Sequence, residues 1–387
     1  MLYYIGIDVA KAKHDLSIID EHGEIIEKNF RFENSFSGFQ QLKIRLECLP
    51  QFINDKIRIA LEDTGHYAYN LLAFLRKQGY QTFTYNPLLI KEFARSLSLR
   101  KTKTDKKDAI TIARKLREDV APERFKAETS IQELKFLTRH QSRLIHSRSK
   151  AKTYYVRLLD LMFPELAKIV GNAHNKYVYE LLTSYPTPAK IARARFDSLL
   201  KIKRLTADKA YQIQAAARQT IGTISPALSL ELKQVISTIQ HYSQQIDEIE
   251  QEIGLLMTEI DSPITTITGI GTRLGAIILA EIRNIYNFKN PAQLQAFAGM
   301  EPSVYQSGQI DVQGRMVKRG SPYLRYALFL AAEAITRFSP HFRAYLSVKL
   351  SQGKHYYVAI THVAKKLIRV IYALLQTNQA FDEVKLR

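Results

Sequence analysis

Three short runs rich in Ile, Phe and Tyr open the chain, LYYIGID, HDLSIID and GEIIEKNFRF, with only turn-length polar gaps between them. Runs so close together predict consecutive strands joined by tight connections. A helical pattern follows in SFSGFQQLKIRLECL, behind a Ser-rich cap region. Next come a strand, KIRIALE, a helix from Tyr67 to Lys77, a strand, YQTFTYN, and a helix after Pro87. This alternation predicts an α/β domain.

Three strands, then helix, strand, helix, strand, helix, is the element order of a ribonuclease-H-like fold. In that order the first and fourth strands lie side by side at the centre of the sheet. Asp8 ends the first run and Glu62 ends the fourth, so the two carboxylates are expected at neighbouring strand ends. Asp105 and Asp108, in KTKTDKKDA, are three residues apart and share one face if that segment is helical. A simpler reading of this pair is a helix start, with Thr104 or Asp105 as cap and Asp108 in the first turn. The four acids together predict a metal site. Two Mg²⁺ ions about 4 Å apart need several oxygen ligands on rigid elements, and strand ends plus a helix supply them.

The charge of the chain says what such a site acts on. Among 387 residues, Lys and Arg number 56 against 37 Asp and Glu, a formal net charge of +19. That excess points to a nucleic-acid partner held by phosphate neutralisation. Carboxylates in a basic chain would repel phosphate without cations between them, so the pattern predicts metal-assisted chemistry on DNA or RNA. Arg100, Lys101, Lys103, Lys106 and Lys107 flank the acidic pair and are candidates for holding phosphate. The single cysteine, Cys48, excludes a disulfide framework or a multi-thiolate zinc cluster and is expected to serve packing. The start of the chain lacks the pattern of a signal peptide. The C-terminal run YYVAITHVAKKLIRVIYALLQ is interrupted by Lys365, Lys366 and Arg369 and reads as an amphipathic helix, not a membrane span. The expectation is a cytoplasmic protein.

Three regions follow: residues 1–122 as the α/β domain, 123–261 as a helical or coiled-coil region, and 262–387 as a mostly helical C-terminal domain. In the middle region Leu232, Val235, Ile239, Ile246, Ile249, Ile253 and Leu256 form a rough heptad stripe. The stripe is compatible with a coiled coil between protomers and with an antiparallel hairpin inside one chain. In the last region TGIGTRLG resembles the turn of a helix-hairpin-helix module. There Gly269 and Gly271 would offer backbone N–H groups to a phosphate. YQSGQ places Ser307 in an exposed turn; taken alone, a serine without a neighbouring base is a poor nucleophile.

GIDVAK, LEDTGHY and KTDKKDA resemble the three acidic motifs of the DEDD transposases of the insertion sequence 110 family. The stretch from GIGTRLGAIILAEI through FKNPAQLQAFAGMEPSVYQSGQ to KRGSPYLRYALFLAA is similar to that family's C-terminal transposase domain. The resemblance implies a RuvC-like domain whose tetrad is Asp8, Glu62, Asp105 and Asp108, with Mg²⁺ as cofactor. It implies a catalytic serine at Ser307, with Ser303 and Ser321 nearby. Lys318 and Arg319, in the same stretch, join the nucleic-acid-binding candidates. It further implies a recombinase acting on donor and target DNA through a phosphoserine link, directed by a structured bridge RNA, in homodimers or homotetramers associated with the bacterial nucleoid. Asp63, beside Glu62, is a candidate supporting residue. Two other outcomes are compatible with the residues: a RuvC-like junction-resolving nuclease that uses water, and a non-catalytic nucleic-acid scaffold.

Overall fold

The computed structural model describes residues 1–50, 52–62, 67–85, 87–97, 105–119, 129–307 and 310–386. For residues 88, 105–107, 129, 302–307 and 310–315 the description covers the backbone. The chain divides into two compact units, Met1–Lys126 and Ala127–Arg387.

The first unit is built on five strands, β1 (Tyr3–Asp8), β2 (Lys13–Asp20), β3 (Ile25–Glu33), β4 (Ile57–Glu62) and β5 (Gln81–Tyr85). Their order in the sheet is β3-β2-β1-β4-β5. β1, β2 and β3 pair antiparallel, whereas β1, β4 and β5 pair parallel. Parallel neighbours need a crossover; α1 (Phe36–Glu47) lies between β3 and β4 in the chain, and α2 (Tyr67–Lys77) between β4 and β5. The Ser-rich cap region does what its composition suggests: Ser35 Oγ accepts the Gly38 N–H at 3.2 Å. Two further helices, α3 (Pro87–Leu97) and α4 (Asp105–Glu118), complete the unit.

Strand alternation sends successive side chains to opposite faces. Tyr3, Ile5 and Ile7 of β1 share a core with Leu42 and Leu46 of α1 and Leu71, Leu72 and Leu75 of α2. Tyr4, on the other face, shares one with Ile112, Ala113 and Leu116 of α4. A mixed sheet covered by helices on both faces, with β1 central and β4 beside it, is consistent with the ribonuclease-H-like expectation. Cys48 departs from its expected role. It is exposed at the C-cap of α1, because Leu42, Leu46 and Leu49 occupy the inward positions.

Two long helices organise the second unit, α5 (Thr129–Met162) and α11 (Pro226–Ile260). Ser130 donates to Glu259 at 2.7 Å, Gln141 to Glu250 at 3.1 Å, and Arg148 to Ser243 at 3.2 Å. Numbers that rise along one helix fall along the other, so the pair is antiparallel within one chain. Between them run α6 (Leu166–Val170), α7 (Lys176–Ser184), α8 (Pro188–Arg193), α9 (Phe196–Leu200) and α10 (Ala207–Arg218). These pack on one end of the hairpin, around Tyr155, Leu158, Leu232, Ile236 and Ile239. The other end, with Ile131, Leu134, Ile249 and Ile253, shares a core with the C-terminal helices. Ile236 and Met257 take buried places on the α11 stripe where Val235 and Leu256 were expected. A helix packed against elements on both flanks buries a wider face than a two-helix seam.

The remaining elements are α12 (Thr272–Ile282), α13 (Pro291–Phe297), β6 (Pro302–Ser307), β7 (Ile310–Met316), α14 (Pro322–Phe338), α15 (Pro340–Ser351) and α16 (Tyr356–Thr377). β6 and β7 form an antiparallel pair. Among the described residues no helix is long and apolar enough to cross a membrane.

Candidate functional site

In the parallel β1–β4 ladder Ile7 stands opposite Leu61. Asp8 and Glu62 follow at adjacent strand ends, on strands that such a ladder spaces about 4.8 Å apart. Both lie on the α4 side of the sheet, since Gly6 and Ala60, two residues earlier on each strand, are opposite each other on that side.

The position of α4 follows from its small residues. A β-carbon at Gly6 would lie 2.1 Å from the Ala109 carbonyl oxygen and 2.4 Å from the Ala113 nitrogen. Helix and strand therefore meet backbone to backbone. Further along, the Arg117 guanidinium reaches Gly23, in the β2–β3 connection at the end of the sheet where β1 begins. Thus α4 runs antiparallel to β1, and its first turn points toward the end occupied by Asp8 and Glu62. Asp105 is the first residue of that helix and Asp108 lies three residues on. Asp105 stands one turn before Ala109, and Asp108 one turn before the buried Ile112, so both start on the sheet-facing side.

Asp8, Glu62 and Asp108 are each partly exposed. Among the described residues no group of three or more His, Cys, Asp or Glu side chains is arranged to hold a metal ion; the Asp105 side chain lies outside that description. Arg100, Lys101, Lys103 and Asp63 also lie outside the described residues, as do the side chains of Lys106 and Lys107.

A neighbour not anticipated from sequence is Asp15. It pairs with Asp8 across the β1–β2 ladder and with Arg31 across β2–β3. Asp15 is buried and accepts from Arg31 Nε at 3.0 Å and Nη2 at 3.2 Å. A row Arg31, Asp15, Asp8 therefore crosses three strands and ends beside β4. Its signal in the sequence was the first of the two acids of HDLSIID, early in a strand.

In the second unit Ser307 is the last residue of β6 and pairs with Ile310. Only Gly308 and Gln309 separate them in the chain, so Ser307 stands at the tip of a short hairpin. The stem is fastened at its base. Val317 N–H donates to the Glu301 carbonyl at 2.9 Å, and Ser321 N–H to the Phe297 carbonyl at 3.1 Å. Arg325 Nη1 donates to the carbonyls of Ala298, at 3.1 Å, and Lys318, at 3.3 Å, one on each side of the hairpin. Lys318 and Arg319 are exposed in this stem.

Ser321 has a different occupation. Its Oγ caps α14 by accepting the Leu324 N–H at 3.2 Å and donates to Glu281 Oε2 at 2.7 Å. Glu281 is buried on α12 and receives Arg139 Nε at 2.7 Å and Nη2 at 3.0 Å. Burial pushes the Glu281 carboxyl up. The Arg139 hydrogen bonds and charge, the Ser321 hydroxyl and the Lys135 charge outweigh that and hold it below the ordinary carboxylate value. The signal for this network was Glu281 itself, a lone acid in the apolar run GAIILAEI.

At the proposed phosphate turn, Gly269 abuts the Ala334 and Ile335 backbone of α14, whereas Gly271 faces open space at the N-cap of α12. The element before the turn is a single 3₁₀ turn, Pro263–Thr266.

Comparison with known proteins covers both units. Residues 5–164 match the family model DEDD_Tnp_IS110, described as "Transposase". Residues 261–347 match one described as "Transposase IS116/IS110/IS902 family". A mini-circle putative transposase for IS117 from Streptomyces coelicolor is 26% identical over 98% of this chain and 95% of its own length. A pilin gene-inverting protein from Moraxella bovis is 25% identical over 98% of both chains. A 42 kDa protein of insertion element IS900 from Mycobacterium paratuberculosis is 24% identical over 98% of this chain and 96% of its own.

Proposed function

Because the chain belongs to the IS116/IS110/IS902 family of transposases, we propose that it cuts and rejoins DNA strands through a phosphoserine link at Ser307. In this reading Asp8, Glu62, Asp105 and Asp108 hold Mg²⁺. The observation that carries it is the junction of β1, β4 and the start of α4, where four acids are brought toward one end of the sheet.

The donor set fits a hard cation, since it consists of carboxylate oxygens without sulfur or imidazole. When bound, Mg²⁺ would favour deprotonation of a hydroxyl and neutralise charge growing on the phosphate. The chain's own residues supply the rest. The β1–β4 ladder and the Gly6 contact fix the acids on rigid elements. The hairpin carries Ser307 as the last residue of its first strand. Serine oxygen forms a bond to phosphorus as one bridging P–O bond breaks, and the departing strand oxygen takes the proton. Rejoining reverses these changes. The exchange trades one phosphoester for another, so it needs no high-energy cofactor.

Two further parts of the proposal rest on family membership. A structured bridge RNA pairs with donor and target DNA, which leaves the protein to hold backbone through its basic surface. Homodimers or homotetramers bring the acids of one subunit to the serine of another. Ser321 is a poor rival to Ser307, because capping α14 and bonding Glu281 already engage its hydroxyl.

The test is a denaturing gel of labelled DNA incubated with protein, bridge RNA and Mg²⁺. A covalent adduct with the parent protein and none with Ser307→Ala, with binding retained, supports the reading. Cleavage without any adduct would favour a water-using nuclease, and binding without cleavage a scaffold.

A further inference from the structure

Arg148, Lys152 and Tyr155 stand at i, i+4 and i+7 of α5 and so share one side of that helix. Tyr155 is fully buried, and its hydroxyl donates to the Ala173 carbonyl at 2.9 Å. That bond ties down the connection between α6 and α7, where the His174 N–H donates to Asn172 Oδ1 at 2.9 Å. The His174 ring lies 5.4 Å from the Tyr155 ring and 6.1 Å from that of Tyr179, centre to centre. Its Nδ1 meets the Tyr179 hydroxyl at 2.8 Å. On the α11 side, Ser243 Oγ accepts from Arg148 Nη1 at 3.2 Å.

Like charges one helical turn apart repel. Residues 134–159, 166–179 and 232–246, which supply the surroundings of Arg148 and Lys152, contain no Asp or Glu. Glu180, the next acid along α7, is exposed. Among the described residues Arg148, Lys152 and His174 take part in no ion pair. Burial, then the Arg148 charge, lowers the Lys152 ammonium; burial, then the Lys152 charge, lowers the His174 imidazole. Burial pushes the Tyr179 hydroxyl up to about 12. It keeps its proton and, being buried, donates it to His174 Nδ1. The neutral ring then carries its own hydrogen on Nε2.

We infer that Arg148, Lys152 and His174 form a phosphate-binding site in the helical region, which takes a backbone phosphodiester of a nucleic acid. All three groups are half-buried, so a ligand can reach them. All three donate: a guanidinium fork, an ammonium and an imidazole N–H converge with no acceptor beside them, as phosphate oxygens require. The connection that carries His174 is already fixed by Tyr155 and Asn172, so binding has little order to create. The two cations cost the empty fold stability, and an anion between them removes that cost.

Naming a nucleic acid rests on transposase membership, but the site involves neither Ser307 nor the acids of the first unit. Binding is therefore read without strand exchange. The measurement is fluorescence anisotropy of the full chain, without Mg²⁺, on fluorescein-labelled duplex DNA and single-stranded RNA of one sequence, from about 50 to about 300 mM salt. The double variant Arg148→Gln, Lys152→Gln should weaken binding by at least about tenfold. It should flatten the log–log salt slope by about 1.4 for RNA or about 1.8 for duplex, at roughly 0.7 or 0.9 per lost contact. Loss with one probe alone identifies DNA or RNA as the source; loss with both identifies a backbone shared by the two. His174→Ala should weaken the same binding about threefold or more and leave the slope unchanged, because a neutral donor releases no counterion. In Lys152→Gln the thermal midpoint should hold or rise, since a repelled cation is gone. Lys201→Gln with Lys203→Gln, both exposed, removes the same charge elsewhere and should change affinity by less than about threefold. A lowered midpoint in Lys152→Gln would make that lysine structural. That result, unchanged binding of both probes by the double variant, or an equal loss in the control pair would each overturn the proposal.

Discussion

Gly6 and Ala109 are in direct backbone contact: a β-carbon on the first would stand 2.1 Å from the carbonyl oxygen of the second. This contact sets the depth at which α4 lies on β1 and so the distance of Asp105 and Asp108 from Asp8. Gly6→Ala should destabilise the first unit by about 1–3 kcal/mol, because neither backbone can yield without moving its element. A urea titration followed by circular dichroism measures this. An unshifted midpoint would show that the contact does not hold the helix.

Asp8→Asn and Glu62→Gln keep side-chain volume and remove charge. Each should lower Mg²⁺-dependent strand cleavage by about 10²- to 10³-fold. DNA affinity should hold or rise, since a repulsive carboxylate is gone. Cleavage at the parent rate by either variant would remove that acid from the metal reading.

Glu281 titrates below its ordinary value of 4.5 in the folded chain. A depressed carboxyl adds stability that is present above the unfolded pKa and is lost as pH falls through the folded one. Stability should therefore decline from about pH 4.5 downward, and Glu281→Ala should flatten that decline. At neutral pH the same variant leaves Arg139 without its buried partner and should cost about 3 kcal/mol. Urea titrations at pH 7 and pH 4 measure both effects; equal losses at the two values would contradict the sign.

Arg325 bonds carbonyls on both sides of the hairpin that carries Ser307. Arg325→Gln should slow adduct formation by about 10- to 100-fold, the cost of a displaced reacting group, while DNA affinity is kept. Gly320→Ala should act likewise. Gly320 has φ of +117°, and a β-carbon there would lie 2.0 Å from the Phe297 carbonyl oxygen. Single-turnover adduct rates beside anisotropy separate the two quantities. Parent rates in both variants would mean that the stem does not position the serine.

Much of the first unit was legible because strands and helices there differ in local period. The pattern over Tyr67–Lys77 predicts a helix with the ends the structure gives it. The adjacency of β1 and β4 also followed from element order. The middle region was less legible. A heptad stripe has the same pattern whether its partner is α5 or another protomer, and only contacts such as Gln141 with Glu250 identify α5 as a partner within the chain. Asp15 and Glu281 have no local signature, because a buried acid is marked by its partner, here Arg31 or Arg139, and those partners lie 16 and 142 residues away.

By itself, then, the sequence determined the order of elements, the excess of positive charge and the acids at the strand ends, all carried by neighbouring residues. Only the tertiary structure decided the depth of α4 on the sheet, the pairing of α5 with α11 and the clasp at the hairpin base. Each of these depends on which distant surfaces exclude water together, and solvent exclusion between remote segments leaves no local period to read.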